Sequence, residues 1–266
     1  MRSSDSNDSE QVKPYRRGTI QSVDRALMLL ERVWEFGRPA RLEEIASGTQ
    51  LDRSTVHRLL RTLVVRGYVH QDMLSKMYEP GPKVHHLAGE SEQGLLLMRE
   101  ARPRLRQLAE QTGETSHLAV PAGDTVLLVD HAPSKHALGV TNMSGAVEPL
   151  GCTALGKALI WDWSESAIHA IVGKDLIRHT QFSITDPGKL VDNLAESKAR
   201  GYALDMEERR MGIRCIAAPI YERGERCIAA IGISGPKERL SEKELPTAGA
   251  QVRDMAREIS AALGNT

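Results

Sequence analysis

Four apolar positions, Val23, Leu27, Leu30 and Trp34, recur at helical spacing and predict a first helix over 21–36, stopped by Gly37 and Pro39. Leu42, Ile45 and Ala46 give a second, short helix, and residues 47–51 a tight turn. Val56, Leu59, Leu60 and Leu63 then fall at i, i+3, i+4 and i+7, one apolar stripe of a third helix. Asp52 stands at its N-cap, able to accept from the amides of Ser54 or Thr55, and Gly67 at its C′ position. Two short strand patterns follow, Tyr68-Val69-His70 and Met77-Tyr78-Glu79, around a turn at 72–76. Helix, helix, turn, helix and hairpin in that order is a winged helix-turn-helix.

Beyond this unit the pattern changes. Residues 84–112 are helical in tendency, with Leu95, Leu96, Met98, Leu105 and Leu108 available for packing, an expected break at Pro103 and a stop at Gly113. Strands are expected at 117–121, 126–131, 138–142, 213–221 and 227–234, the last two joined by a turn at Arg223-Gly224. Helices are expected at 153–162, 164–173 and 187–200, with Gly201 as a stop, and at 242–263 behind a capping box from Ser241 to Glu244. The whole is an α+β chain whose second part is a sheet with helices on its faces, a sensor-like domain. The expected division is a disordered tail over 1–19, the winged unit over 20–83, a linker helix over 84–112 and a second domain over 113–266.

The third helix carries the chemistry of the winged unit. Away from its apolar stripe lie Arg53, Ser54, His57, Arg58 and Arg61, with no acidic residue among them. An apolar back with a cationic, hydrogen-bonding front suits a helix that enters the major groove of DNA. Arg53, Ser54 and His57, on the N-terminal half, are expected at base edges. Arg58 and Arg61 are expected on phosphates, with His70 and Lys76 of the wing reaching the backbone. Solvation of an ordinary surface helix is the plain alternative for each.

The net charge of zero hides an asymmetry: residues 11–83 hold 13 basic against 8 acidic residues, and 84–266 hold 21 against 24. The basic surplus surrounds the candidate reading helix, yet it is modest, so tight binding requires two copies acting together. Cys152, Cys215 and Cys227 match no disulfide framework or zinc spacing, which fits a reducing cytoplasm. No signal peptide or membrane span is expected. Arg16 and Arg17 offer a minor-groove arm, against which stands a solvated polar tail. His85-His86 and the pair His131 and His136 lack convergent ligand spacing, so no metal is expected, and no cofactor.

Several segments together resemble the IclR family of bacterial transcription regulators. They are Ser22 to Leu27, Leu42 to Ala46, Ser54 to Leu60, Gly151 to Ala158, Gly201-Tyr202 with Asp205, and Gly212 to Ile220. The resemblance covers about 20–264 in the family's order. It implies a winged helix-turn-helix, a linker helix and a C-terminal GAF-like effector domain. It also implies a dimer or tetramer that binds palindromic double-stranded DNA operators and answers to small organic acids or aromatics, more often as a repressor than as an activator. Gln50 and Arg41 depart from the family's turn glycine and its Ser or Thr cap.

Resemblance to members that bind small 2-oxo acids carries effector contacts to Ala154, Leu155, Asp205, Cys215 and Ser234. Those members have a second serine where this chain has Gly232. The missing hydroxyl and the space expected beside it point to a larger or partly apolar carboxylate, with Val140, Met143 and Leu150 lining its outer part. Two other classes stay open. One is a Cys-dependent hydrolase built on Cys215, although no nucleophile elbow, no phosphate loop and no convincing oxyanion partner beyond the helix start at 154–156 is visible. The other is a GAF-type interaction module without DNA binding, opposed by the N-terminal helices. Cys215 and Asp205 also have structural readings, as a core thiol and as a cap for the loop before Arg209 and Arg210.

Overall fold

The elements follow from where the apolar residues find cover. The computed structural model describes residues 20–84, 92–137, 139–140, 144–171, 176–223 and 225–264. The chain divides into two compact units, the second beginning at Gln93.

In the first unit, helices α1 (Gln21–Glu35), α2 (Leu42–Ala46) and α3 (Arg53–Val65) precede a hairpin of β1 (Val69–Gln71) and β2 (Tyr78–Pro80). Leu29 and Val33 of α1, Ile45 of α2, and Val56, Leu60 and Leu63 of α3 form the core with Val69 and Tyr78. The stripe that predicts α1 is therefore not its core face. Val23, Leu27 and Trp34 are 52%, 52% and 51% exposed, because Leu29 and Val33, on a second stripe, take the interior. Ala40 adds a third short edge, exchanging backbone hydrogen bonds with Tyr78 at 2.8 and 2.9 Å.

The departures in the turn cost little. The left-handed residue between α2 and α3 is Gly48 (φ +79°), so Gln50 needs no positive φ. At the start of α2, Glu44 accepts from the Arg41 amide at 2.7 Å, half of a capping box without a hydroxyl at position 41. Asp52 caps α3 as expected, accepting from the Thr55 amide at 2.9 Å. Gly67 (φ +79°) follows the helix end.

The second unit begins with α4 (Glu92–Thr112), which runs unbroken through Pro103. A proline inside a helix costs about 3 kcal/mol. Leu97, Leu105 and Leu108, buried on the sheet, return roughly 1.5–3 kcal/mol each, so the helix continues. Leu95 stays exposed.

The sheet, among the described residues, is antiparallel in the order β5-β4-β3-β8-β7-β6. Its strands are β3 (Thr115–Ala122), β4 (Thr125–Ala132), β5 (Val147–Pro149), β6 (Ala203–Met206), β7 (Ile213–Tyr221) and β8 (Cys227–Pro236). Helices α5 (Ala154–Ile160), α6 (Glu165–Ile171) and α7 (Pro187–Arg200) come between β5 and β6, and α8 (Leu245–Ala262) closes the unit.

The period of two sorts the two faces. Ile216, Ala218, Ile231 and Ile233 pack with α4 and α8, while Ala119, Ala217 and Ala230 pack with α5 and α7. That second face is made of small residues, so α5 comes close: a Cβ at Gly156 would stand 2.2 Å from the Leu150 carbonyl oxygen.

Two strands, β5 and β6, are too short to have been read from alternation. Gly139 and Val140 are not in a strand, and the rest of the strand expected over 138–142 lies outside the described residues except at those two positions. The capping box at Ser241 and Glu244 does not form. Glu244 is itself the N-cap in a helical conformation without a side-chain cap bond, and Leu245, followed by Pro246, starts α8 after a turn in which Ser241 O accepts from the Glu244 amide. The tail with Arg16 and Arg17, the His85-His86 pair and Gly224 lie outside the described residues.

Gly156→Ala should lower stability by about 1–3 kcal/mol, although alanine is the better helix former by about 1 kcal/mol. A urea melt reads this directly; an unchanged or raised midpoint would show that α5 can move away from Leu150.

Candidate effector pocket and DNA-facing helix

On α3 the five predicted polar residues are all exposed on one side. Their environments differ. Asp52 accepts from Ser54 Oγ, Thr55 N and Thr55 Oγ1, and these donors hold its carboxyl well below the usual carboxylate range. Ser54 is thus oriented by the cap. Arg53 forms an ion pair with Glu43 of α2 at 2.6 Å, a partner outside its own helix and so invisible to helical periodicity. His57, Arg58 and Arg61 continue the exposed face one and two turns on. Lys76 is at the end of the wing turn with φ +60°, where Asp72 accepts from the amides of Leu74 and Ser75. Met73 and Leu74, neighbours of Lys76 that the pattern did not single out, are also exposed there.

The second unit holds a cavity of about 570 Å³, open mouth included, lined by Val140, Ala154, Leu155, Asp205, Cys215 and Ser234 together with Gly232. Six of the eight residues expected around an effector are therefore brought together. Leu150 is not among them: it is 2% exposed and packed in the core under α5, where its backbone abuts Gly156. Met143 lies outside the described residues.

Strand pairing explains the convergence. Thr115 is opposite Ser234, Ser234 opposite Cys215, and Cys215 opposite Asp205, one row across β3, β8, β7 and β6. Above that row comes the start of α5. Thr153 caps it, accepting from the Gly156 amide at 3.1 Å and donating to Pro149 O at 2.8 Å, which leaves the first amides, of Ala154 and Leu155, as the helix-start donors.

The loop after β6 is built from buried charge. Lys157 of α5 has no solvent exposure and meets Glu208 at 2.6 Å. Thr180 Oγ1 and Ser183 Oγ donate to the carbonyls of Glu207 and Glu208 at 2.7 Å each. Glu207 takes a left-handed conformation (φ +65°), held by the Gly212 amide at 2.9 Å. Asp205 accepts from the amides of Glu208 and Arg209 at 2.7 and 3.4 Å, so it caps this loop and lines the cavity at once.

Burial first, and then Glu208, push the Asp205 carboxyl up to about 7, against the pull of Lys157 and the two amides. Burial likewise raises the Cys215 thiol above its ordinary range; Asp205 adds to the rise and the Ser234 hydroxyl opposes it. Cys152, also mainly through burial, is pushed up to about 12.

Gly232 does not leave the space that the sequence suggested. A Cβ there would stand 2.4 Å from Ile216 O and 2.9 Å from the Ala217 Cβ, so the glycine is required by the close approach of β7 and β8. The site also contains residues the sequence did not single out: Thr153, Glu148, Arg209, Arg210 and His117. Arg209 pairs with Glu148 at 2.8 Å and contacts His179 Nδ1 at 3.1 Å. Only Thr153 carried a local signal, a hydroxyl directly before an apolar helix. The others lie far apart in sequence and meet through the sheet and its loops.

Comparison with known proteins bears on both units. The model for the IclR helix-turn-helix domain matches residues 22–73, and that for the bacterial transcriptional regulator IclR C-terminal domain matches 91–261. The chain is 36% identical to the HTH-type transcriptional regulator BhcR of Paracoccus denitrificans over 244 residues, 91% of this chain and 87% of that protein. It is 32% identical to the transcriptional repressor IclR of Escherichia coli over 250 residues, 93% and 91% of the two. The fold is shared with an IclR homologue from Microbacterium hydrocarbonoxydans solved with 4-hydroxybenzoate, at a TM-score of 0.71, 22% identity, and coverage of 92% and 100%. The chain belongs to the IclR family of transcription regulators, with a DNA-binding helix-turn-helix and a ligand-binding C-terminal domain.

Proposed function

We propose that this protein is a homodimeric or tetrameric repressor of a catabolic operon, released or engaged by a small carboxylate. The observation that carries the reading is the convergence of Asp205, Cys215, Ser234 and the start of α5 on one cavity, in a chain whose α3 presents Arg53, Ser54, His57, Arg58 and Arg61 together. The ligand's carboxylate is held by the amides of Ala154 and Leu155 and by Ser234. Asp205, neutral in a large fraction of molecules near pH 7, donates to it rather than repelling it. Val140 covers the apolar part. Because Gly232 adds no room, the acid gains no extra depth beside that glycine.

Residues 20–83 act as the DNA-binding domain and 113–266 as the effector and oligomerisation domain, with the segment between them, which contains α4, carrying the difference between states. The ligand must bind the DNA-competent and incompetent states unequally for any signal to pass. The exposed stripe of Val23, Leu27 and Trp34 on α1 is the face a second copy covers, which places two reading helices on the half-sites of a palindrome. Relatives named as repressors support that sign. A regulator rather than a Cys-dependent hydrolase is supported by the Cys215 thiol, which its surroundings keep protonated and hence a poor nucleophile. The free thiols of Cys152, Cys215 and Cys227 suit the cytoplasm. No helix among the described residues is long and apolar enough to cross a membrane.

The direct test is a gel shift on the protein's own upstream region, titrated with small carboxylates; no shift, or a shift no acid alters, would sink the reading. Arg58→Ala should weaken binding on all sequences and reduce the slope of log K against log salt by about one, whereas Arg53→Ala should relax one operator position by roughly 1–3 kcal/mol. An unaltered slope would remove Arg58 from the phosphates. Leu27→Glu should yield folded monomers in sedimentation, and a persisting dimer would mean that α1 is not the seam.

Asp205 gives a pH test. Its folded value of about 7 lies above the ordinary 3.8, so the native state keeps a proton that the unfolded chain releases. The stability contributed is complete below pH 4 and is lost as pH rises through about 7. Wild-type thermal stability should fall between pH 5 and 8 relative to Asp205→Asn; parallel curves would contradict it.

A further inference from the structure

His117 is 1% exposed, and neither of its ring nitrogens has a hydrogen-bond partner. It lines the same cavity as Asp205 and Cys215. On the sheet it is opposite Gly232 of β8 and opposite His131 of β4, whose ring stacks on it at a centroid distance of 6.4 Å. Burial, with His131 alongside, lowers His117 to about 4. At neutral pH the ring therefore carries one N–H donor and one lone-pair acceptor.

A buried donor or acceptor left unmet is costly, and a site that leaves one open in a cavity recovers the loss when a ligand fills it. Sheet register says where that ligand group must be. Ser234 and Cys215 form one row, and His117 with Gly232 the next, so Ser234 and His117 are diagonal neighbours, roughly 7–8 Å apart on the sheet. Gly232 puts no side chain between them. The path from Ser234 to the imidazole therefore crosses backbone at Gly232, where β7 comes close and no side chain intervenes.

We propose that the effector is a hydroxy-carboxylic acid whose hydroxyl, at the end remote from the carboxylate, bonds to His117, which makes His117 a specificity-determining residue. A hydroxyl is the fitting group because it both donates and accepts, so it serves whichever ring nitrogen faces the cavity. The inference rests on the reading of the cavity as a carboxylate site.

The experiment is calorimetry on the full-length protein with two matched pairs: pentanoate and 5-hydroxypentanoate, benzoate and 4-hydroxybenzoate. In at least one pair the hydroxy acid should bind about tenfold more tightly than its parent. His117→Phe should lose that preference, read as the ratio of the two binding constants within each pair. His117→Gln, which keeps a donor and an acceptor, should retain part of it and serves if the phenylalanine variant does not fold. Ser234→Ala should weaken both members of a pair alike.

Wild type that binds the acids but ignores the hydroxyl overturns the role of His117 and leaves the carboxylate reading intact. So does a preference that survives in His117→Phe. Failure of all four acids to bind wild type overturns the carboxylate reading, and this inference with it.

Discussion

The effector domain is organised around a lysine that has no contact with water. Lys157 is wholly buried on α5, and its ammonium group meets Glu208 at 2.6 Å. Removing two charges from water is expensive, and breaking such a pair by deleting one member costs about 3–5 kcal/mol. That cost fixes α5 against the loop after β6. The loop then has a single place for its amides, which converge on Asp205, and for its carbonyls, which accept from Thr180 and Ser183. Asp205, held in this way beside Cys215 and Ser234, becomes part of a cavity instead of an ordinary surface carboxylate.

The small residues of the sheet permit this arrangement. Ala119, Ala217 and Ala230 pack with α5 and α7, and Gly156 and Gly232 stand where a methyl group would strike backbone. Isoleucines on the opposite face carry the bulk of the packing with α4 and α8. One face is thus filled for stability, and the other is kept shallow enough to leave a site. The site's electrostatics come from the same geometry: burial raises Asp205 and Cys215 and lowers His117, so the cavity favours neutral donors at neutral pH.

Much of the first unit was legible because its signals are local. Asp52, the stripe of Val56, Leu60 and Leu63, and Gly67 are each read within one or two helical turns, and the structure has them in those roles. The α1 stripe misled because Val23, Leu27 and Trp34 are as apolar as Leu29 and Val33, and periodicity cannot say which of two stripes meets the interior. Arg53 was read without Glu43 because the two belong to different helices. In the second unit, five positions named from resemblance and Val140, named for a larger ligand, line one cavity, while Leu150 is core.

The sequence by itself determined the family, the order of elements in the first unit and the polar face of α3, since these depend on residue type, on spacing and on neighbours a few positions away. Only the tertiary structure decided that Gly232 serves close strand packing, that Lys157 and Glu208 are one pair, and that His117 shares a cavity with Asp205. The reason is physical: those relations are set by strand register and by the cost of burying charge, and both join residues separated by tens of positions along the chain.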